Sequence, residues 1–380
     1  MSAELKVAIV GCGVIGLNHV RAIERVSNFA VTALVDPDED APANLVNAVQ
    51  ELNPLSRIGE VAQFRTLEEA LAAGIDMVAI CTPSGLHVAQ AEQALNAGVH
   101  VVIEKPLDVD LARGRRIATA ATAAAKRGIL TTVISQHRFD PAAVAVAEAV
   151  NSGEFGRMTS AVASVSWWRS QAYYDSGAWR GTWELDGGGA LMNQGVHTVD
   201  LLVWFLGRPV EVAAHTACLA HERIEVEDVV TATVKFESGA LAVIHATTAA
   251  YPGLSARIQL HGTRGSAVLD NDRLVYFGSA APSDDDSGQG IRDISAERVP
   301  VGHDADSAPG PESFIEGHVR QYLDIAEAVR DGRAPGVTVD DALLALALVR
   351  SVYVSAALGS PVSVDEVLAG DFDHVEVANR

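Results

Sequence analysis

Cysteine is scarce in this chain: Cys12, Cys81 and Cys218 are the whole complement among 380 residues. They stand far apart, with neither the paired spacing of a zinc site nor a disulfide framework, so reduced and mostly buried thiols are expected. Basic residues are also few, 28 Lys and Arg against 49 Asp and Glu, a formal charge of −21. A nucleic-acid partner announces itself by a basic patch, and this balance argues against one. No apolar run is long and unbroken enough to span a bilayer, and the N-terminus has no basic-apolar-small signal pattern. No membrane partner is therefore expected, and a cytoplasmic location is. Hydrophobic residues, by contrast, make up 48%. A chain this long and apolar exceeds one comfortable core, so two domains are expected, 1–136 and 137–380, with the closing helices allowed to pack back on the first.

The apolar stretch Leu5–Val10 runs into Gly11-Cys12-Gly13-Val14-Ile15-Gly16 and then a helical pattern containing His19, Ile23 and Arg25. This is G-x-G-x-x-G in the strand-turn-helix context that gives it meaning. Gly11 serves the tight turn, Gly13 the approach of a pyrophosphate and Gly16 close helix-to-strand packing. A second strand, Val31–Val35, ends in Asp36, where a carboxylate accepts both ribose hydroxyls and repels a 2′-phosphate. NAD is thus expected over NADP. The plain alternative for Asp36-Pro37-Asp38 is a turn. Thr66-Leu67-Glu68-Glu69 reads as a capping box. Strand Met77–Cys81 ends in Thr82-Pro83-Ser84, and a strand over Ile129–Ile134 ends near Gln136. Together these predict a doubly wound parallel sheet with Gly11, Gly13, Val14, Ile15, Gly16, Asp36, Thr82, Pro83, His87, Glu104, Lys105 and Gln136 around the cofactor.

Val99-His100-Val101-Val102-Ile103 enters Glu104-Lys105-Pro106, a buried-strand pattern that suddenly presents charge at its carboxyl end. Open α/β sheets bind ligands there. Lys105 can hold an ammonium beside a developing alkoxide. An ordinary surface lysine is the alternative, and the X-Pro bond after it is the usual place for a cis peptide.

From about Gly156 the period changes. Strands are expected over 158–168, 210–219, 229–236, 241–248, 256–260 and 266–269, without intervening helices, so a large open and mostly antiparallel sheet follows. Its second face would stand exposed unless it meets a partner chain, which points to a homodimer or homotetramer. The polar stretches 284–290 and 303–311 read as loops, and helices over 314–330 and 340–358 close the chain. The glycine run Gly187-Gly188-Gly189 opens a further helix, with Asp186 or a glycine near its N-cap, on which Asn193, His197 and Asp200 fall at i, i+4 and i+7. His197 has the chemistry of a general base; a structural histidine bonded to Asp200 is the alternative. No metal is expected, since His197 and Asp200 lack a further ligand cluster. Four of the chain's 5 tryptophans cluster just before this helix, among them Trp168, beside Arg169 and Tyr174. Flat amphipathic rings suit a sugar or cyclitol; an aromatic mini-core is the alternative.

The glycine fingerprint, the Ala97-Gly98-Val99-His100 to Glu104-Lys105-Pro106 stretch and the Gly187–Asp200 helix, in that order, resemble the glucose-fructose oxidoreductase / inositol dehydrogenase / rhizopine-catabolism (Gfo/Idh/MocA) family over essentially the whole chain. The resemblance implies a Rossmann domain, a second α/β domain with an open sheet, and NAD(P)-dependent chemistry at a sugar or cyclitol carbon. It assigns Lys105 and His197 the family's catalytic lysine and histidine. Inositol dehydrogenases carry aspartate where this chain has Asn193, which argues against inositol itself. The Trp179–Trp183 segment looks like the family's sugar, anhydrosugar and nucleotide-sugar-acid dehydrogenases. The resulting expectation is an NAD-dependent sugar dehydrogenase with Lys105, His197 and Asn193 catalytic, and Trp168, Arg169 and Tyr174 added as substrate contacts. An NAD-retaining glycosidase and a non-catalytic NAD(H) sensor are the alternatives.

Overall fold

The computed structural model describes residues 4–280, 292–299 and 311–377, so the loops expected at 284–290 and 303–311 lie outside the described residues except for Pro311, which begins a helix. The chain divides into two compact units, Met1–Gln136 with Pro309–Leu343 and His137–Ala308 with Leu344–Arg380.

In the first unit strands and helices alternate: β1 (Leu5–Val10), α1 (Val14–Ile23), β2 (Phe29–Val35), α2 (Asp40–Leu52), β3 (Ala62–Phe64), α3 (Leu67–Ala72), β4 (Met77–Ile80), α4 (His87–Asn96), β5 (His100–Ile103), α5 (Leu111–Ala125) and β6 (Thr131–Val133). All strand pairs are parallel, in the order β3-β2-β1-β4-β5-β6. The apolar runs explain this: Val7–Val10, Met77–Ile80 and Val101–Ile103 are buried along their whole length, as strands covered on both faces must be. Thr66 and Glu69 form the capping box that starts α3, and Asp110 caps α5 by accepting from the Arg113 amide. The order reverses at β1 and β4, so the glycine turn after β1 lies where such sheets take ligands.

The second unit holds α6 (Pro141–Asn151), β7 (Met158–Ser166), α7 (Gln171–Asp175), a π-helical segment Ala190–Gly195, α8 (Val196–Leu206), β8 (Pro209–Ala217), β9 (Val229–Phe236), β10 (Leu241–Thr247), β11 (Ala256–Gly262), β12 (Gly265–Asp270), β13 (Arg273–Ser279) and α9 (Ser295–Arg298). The chain then supplies α10 (Pro311–Asp331) to the first unit, followed by α11 (Val339–Leu358), β14 (Val362–Ser363) and α12 (Val364–Ala369). The eight-stranded sheet runs β13-β12-β11-β7-β10-β9-β8-β14, antiparallel except for the β7–β10 pair. Along β9, buried Val230, Ala232, Val234 and Phe236 alternate with exposed Thr231, Thr233 and Lys235, the signature of a sheet covered on one face. Helices α6 and α8 pack on the covered face. On the other face Val162, Leu241 and Val243 are exposed.

Elements that the sequence reading did not place include α2, α6, α12, β3, β13 and β14, and two helices are instructive. Helix α6 fell where no helix was expected: its Ala-Val alternation carries no polar stripe, and only Pro141 at its start signals it. Helix α11 is the one described helix long and apolar enough to cross a membrane, yet 61% of that stretch is buried inside the protein, as a core helix is.

Candidate active site

The glycine turn is dictated by close approach. Gly11 has φ +98, and a Cβ there would lie 2.8 Å from the Cys81 carbonyl group. A Cβ on Gly16 would lie 2.2 Å from the Gly11 oxygen, whereas one on Gly13 would meet nothing within 4 Å. That open space lies over the start of α1, which has no side-chain cap to occupy its leading amides. A pyrophosphate fits such a place, held by backbone N–H groups at a helix N-terminus. Asp36, ending β2, is already aligned: its Oδ2 accepts from the Cys12 amide at 2.8 Å and its Oδ1 from the Asp38 amide at 3.0 Å. Burial, and then Asp36, push the Cys12 thiol up to about 12, so it stays a protonated packing group.

Three of the side chains expected at the cofactor, His87, Glu104 and Gln136, are buried. His87 is 1% exposed, with its ring nitrogens 2.9 Å from the carbonyl oxygens of Thr82 and Pro106. It stitches the loops after β4 and β5 together instead of reaching outward. Glu104 is buried too: Oε1 accepts from His19 Nε2 at 2.9 Å, with His318 Nε2 at 3.5 Å, and Oε2 accepts from the Lys105 amide at 2.9 Å. The Tyr322 hydroxyl donates to His19 Nδ1 at 2.6 Å, completing a chain across the unit. Burial alone would raise Glu104, but the His19 and His318 contacts outweigh it and hold the carboxyl well below its ordinary range. Gln136 is also buried, against Gly317. These burials share one cause: the polar groups near the strand ends of a parallel sheet must be satisfied. Lys105 itself is half-buried at the end of that strand, and its bond to Pro106 is cis.

In the second unit Asn193 and His197 lie on differently wound backbone. Ala190–Gly195 is π-helical and α8 begins only at Val196, so the expected i, i+4 face does not run through both residues. At its N-cap the segment has Gly189, the glycine alternative, and not Asp186. Its start is held by Glu227, whose carboxylate accepts from the amides of Gly189 at 2.8 Å and Leu191 at 3.0 Å and from the Tyr353 hydroxyl at 3.0 Å. A Cβ on Gly189 would lie 1.7 Å from the Glu227 carbonyl oxygen, so only glycine fits. Complete burial pushes Glu227 up to about 7 despite these bonds. Asp186 acts one step along: its Oδ1 accepts from Asn193 Nδ2 at 2.6 Å, fixing the amide. Asp200 is bound bidentately by Arg138, at 2.8 and 2.6 Å, and both are buried. His197 is half-buried and meets the ring of His137 edge to face.

The aromatic segment is a ladder. Arg169 lies 5.2 Å from the ring centres of both Trp167 and Tyr173, and Arg180 lies 4.3 Å from Tyr173 and 4.4 Å from Trp179. Arg180 and Gln194 both donate to the Tyr173 hydroxyl. Asp175 pairs with Arg223 instead of either ladder arginine. Trp168 is 39% exposed and packs on Tyr251. Tyr174 is 4% exposed with its hydroxyl 2.8 Å from Thr248 Oγ1, so it floors the ladder and Tyr173 is the better placed ring.

Residues 5–132 match the model for an oxidoreductase family with an NAD-binding Rossmann fold, and residues 143–268 match the model for the GFO/IDH/MocA C-terminal domain. The chain belongs to the Gfo/Idh/MocA family of oxidoreductases. Similar members include the WlbA dehydrogenase of Bordetella pertussis, solved in complex with NADH and UDP-GlcNAcA, which is 31% identical with a TM-score of 0.80, covering 96% of this chain and 98% of that one. Inositol 2-dehydrogenase of Rhizobium meliloti (strain 1021) is 26% identical, over 92% of this chain and 99% of its own length. Levoglucosan dehydrogenase of Pseudarthrobacter phenanthrenivorans is 24% identical, over 96% of this chain and 100% of its own. NAD is the cofactor of this Gfo/Idh/MocA member, in keeping with the space above Gly13 and the carboxylate of Asp36.

Proposed function

We propose that this chain is an NAD-dependent dehydrogenase that oxidises a secondary alcohol of a sugar. Bound NAD supplies the hydride acceptor. His197 takes the proton of the reacting hydroxyl, and the ammonium of Lys105 stabilises the oxygen as negative charge develops on it. Asn193, its amide set by Asp186, orients that hydroxyl. Arg138 on Asp200 anchors the helix that carries His197. The observation that carries this reading is the pairing of an organised nucleotide turn after β1 with a half-buried lysine at the end of β5, two strands along the same sheet, in a chain whose second unit holds a half-buried histidine on a braced helix.

Arg169 and Arg180 give the finer preference. Both are stacked on aromatic rings while Asp175 is taken by Arg223, so they can meet an anionic substituent, a uronate or a sugar-linked phosphate. The likeness to WlbA supports that class. Trp168 and Tyr173 would serve as apolar walls for the sugar ring. The exposed face of the eight-stranded sheet is assigned to a second copy of the chain; sedimentation of Val243→Lys should show a smaller particle than the parent protein.

The test is NAD reduction over neutral sugars, anhydrosugars, cyclitols, uronates and sugar nucleotides, run beside Lys105→Ala and His197→Gln. One class should reduce NAD, and each variant should lose roughly 10² to 10⁴ in kcat/KM, the usual worth of a positioned acid-base or oxyanion group. Undiminished turnover in Lys105→Ala removes the mechanism. Release of an aglycone without net NADH replaces it with hydrolysis.

A further inference from the structure

Beside His197 sits a second histidine that the mechanism above does not use. His137 Nδ1 lies 2.9 Å from Asp140 Oδ2 and 3.0 Å from Asp272 Oδ1. Its ring meets that of His197 with centroids 4.9 Å apart and planes at 86°. Asp140 precedes α6, while Asp272 stands in the tight turn between β12 and β13, where Asn271 and Asp272 have φ of 44° and 64°. Such left-handed backbone is uncommon for residues other than glycine, and it places the Asp272 carboxylate over the histidine.

Two carboxylates converging on one ring nitrogen place a proton on that nitrogen, and their combined negative charge favours a second proton, and so a positive charge, on the ring. Burial works against that charge, but the two bonds prevail and lift His137 to about 10. Among the described residues lining the small cavity of about 30 Å³ beside it, β11 and β12 contribute Ala256, Ile258 and Leu269, and α8 contributes Thr198 and Leu201, all uncharged. Arg138, next in sequence, is engaged by Asp200, and of the acids at the π-helical segment Asp186 is engaged by Asn193 and Glu227 by the Gly189 and Leu191 amides. When neighbouring titratable groups sit in environments that push them apart, one becomes the acid and the other the base.

We propose that His137 is a positioning residue for the reaction: a permanently protonated imidazole, clamped by Asp140 and Asp272, that holds the ring of His197 and disfavours a second positive charge on it, so that His197 meets substrate as a neutral base. The proposal rests on the assignment of His197 as the base, and its test separates the two. Histidines labelled at Cε1 are followed by NMR against pH in the NAD-loaded protein, with His137→Gln and His197→Gln identifying the two signals. His137 should stay protonated through pH 9, and His197 should titrate below the ordinary histidine value. In His137→Gln the two carboxylates lose their counter-charge, and the His197 midpoint should rise by about one pH unit or more. In Asp272→Asn, which keeps a residue tolerant of that backbone, the His137 midpoint should fall by about one unit.

An unmoved His197 midpoint in His137→Gln overturns the proposal, as does a His137 that titrates below pH 7. If His137→Gln fails to fold, Asp272→Asn decides, and an unshifted His137 there overturns it equally. Retained turnover in His197→Gln instead removes the base assignment and leaves the titrations to stand on their own. A merely structural His137 would lower activity at every pH without moving any midpoint.

Discussion

Each unit of this protein builds a histidine and carboxylate cluster, and the two are tuned in opposite senses. In the first, one carboxylate, Glu104, is bound by His19 with His318 beside it, deep in the core. Burial is the larger influence on His19 and pulls it below its ordinary value, so the charge in that cluster is the carboxylate's. In the second, one histidine, His137, faces two carboxylates in a site partly open to solvent, and the charge on the ring survives. Stoichiometry and depth decide the protonation state. The residue types do not.

Removing the charge from each cluster should therefore cost very different amounts. Glu104→Ala strands the neutral His19 N–H in the core and the part-buried Lys105 amide at its edge, and each donor left unsatisfied costs about 1 to 3 kcal/mol. For a unit of this size the two together are roughly 10 °C of Tm. Asp272→Ala removes a carboxylate whose side chain is 45% exposed, and screening limits its loss to about 1 kcal/mol. Thermal melts compare them directly. Equal losses would show that the first cluster is no more sensitive than a surface pair.

The acid side distinguishes them next. A histidine held below its ordinary value contributes stability that is present above pH 6.5 and is lost as the pH falls, because the unfolded chain takes the proton first. Wild type minus His19→Gln should thus shrink between pH 7 and 5. Glu227, raised to about 7 from 4.5, works the other way: its contribution is present below 4.5 and is lost as the pH rises through 7. It is common to both proteins and cancels in the difference. A difference that grows on acidification would mean that His19 is charged in the folded state.

What could be read from the chain and what could not divides along the same line. The glycine turn, the Thr66 capping box and the longer strands of both sheets other than β13 are local patterns, since apolar periodicity and turn residues act over a few positions. Lys105 and His197 stood out because each follows or rides such a pattern. The clusters did not, because their members are brought together by tertiary packing: His318 reaches Glu104 from 214 residues away, and Tyr353 reaches Glu227 from 126. The π-helical winding at Asn193 is equally silent, since it depends on Glu227 accepting two amides and on Gly189 fitting beneath a carbonyl. One signal was available for His137. Asp140 follows it by three residues, and the Asn271-Asp272 pair marks a turn that carries a second acid.

The smallest effect lies on the alkaline side and reports the second cluster alone. His137 is raised from 6.5 to about 10, so its contribution is complete below pH 6.5 and is lost as the pH climbs through 10. Stability should decline between pH 7 and 10, and Asp272→Asn should flatten that decline while His19→Gln leaves it unchanged. Because Asp272 is well exposed, the difference between wild type and Asp272→Asn should be about 1 kcal/mol at pH 7 and close to zero at pH 10. Added salt should shrink it further, since an exposed partner is screened within about 10 Å at 0.1 M. A difference that persists undiminished at pH 10 would trace the loss to the strained turn at Asn271 and Asp272, and the ring would then carry no charge for the turn to hold.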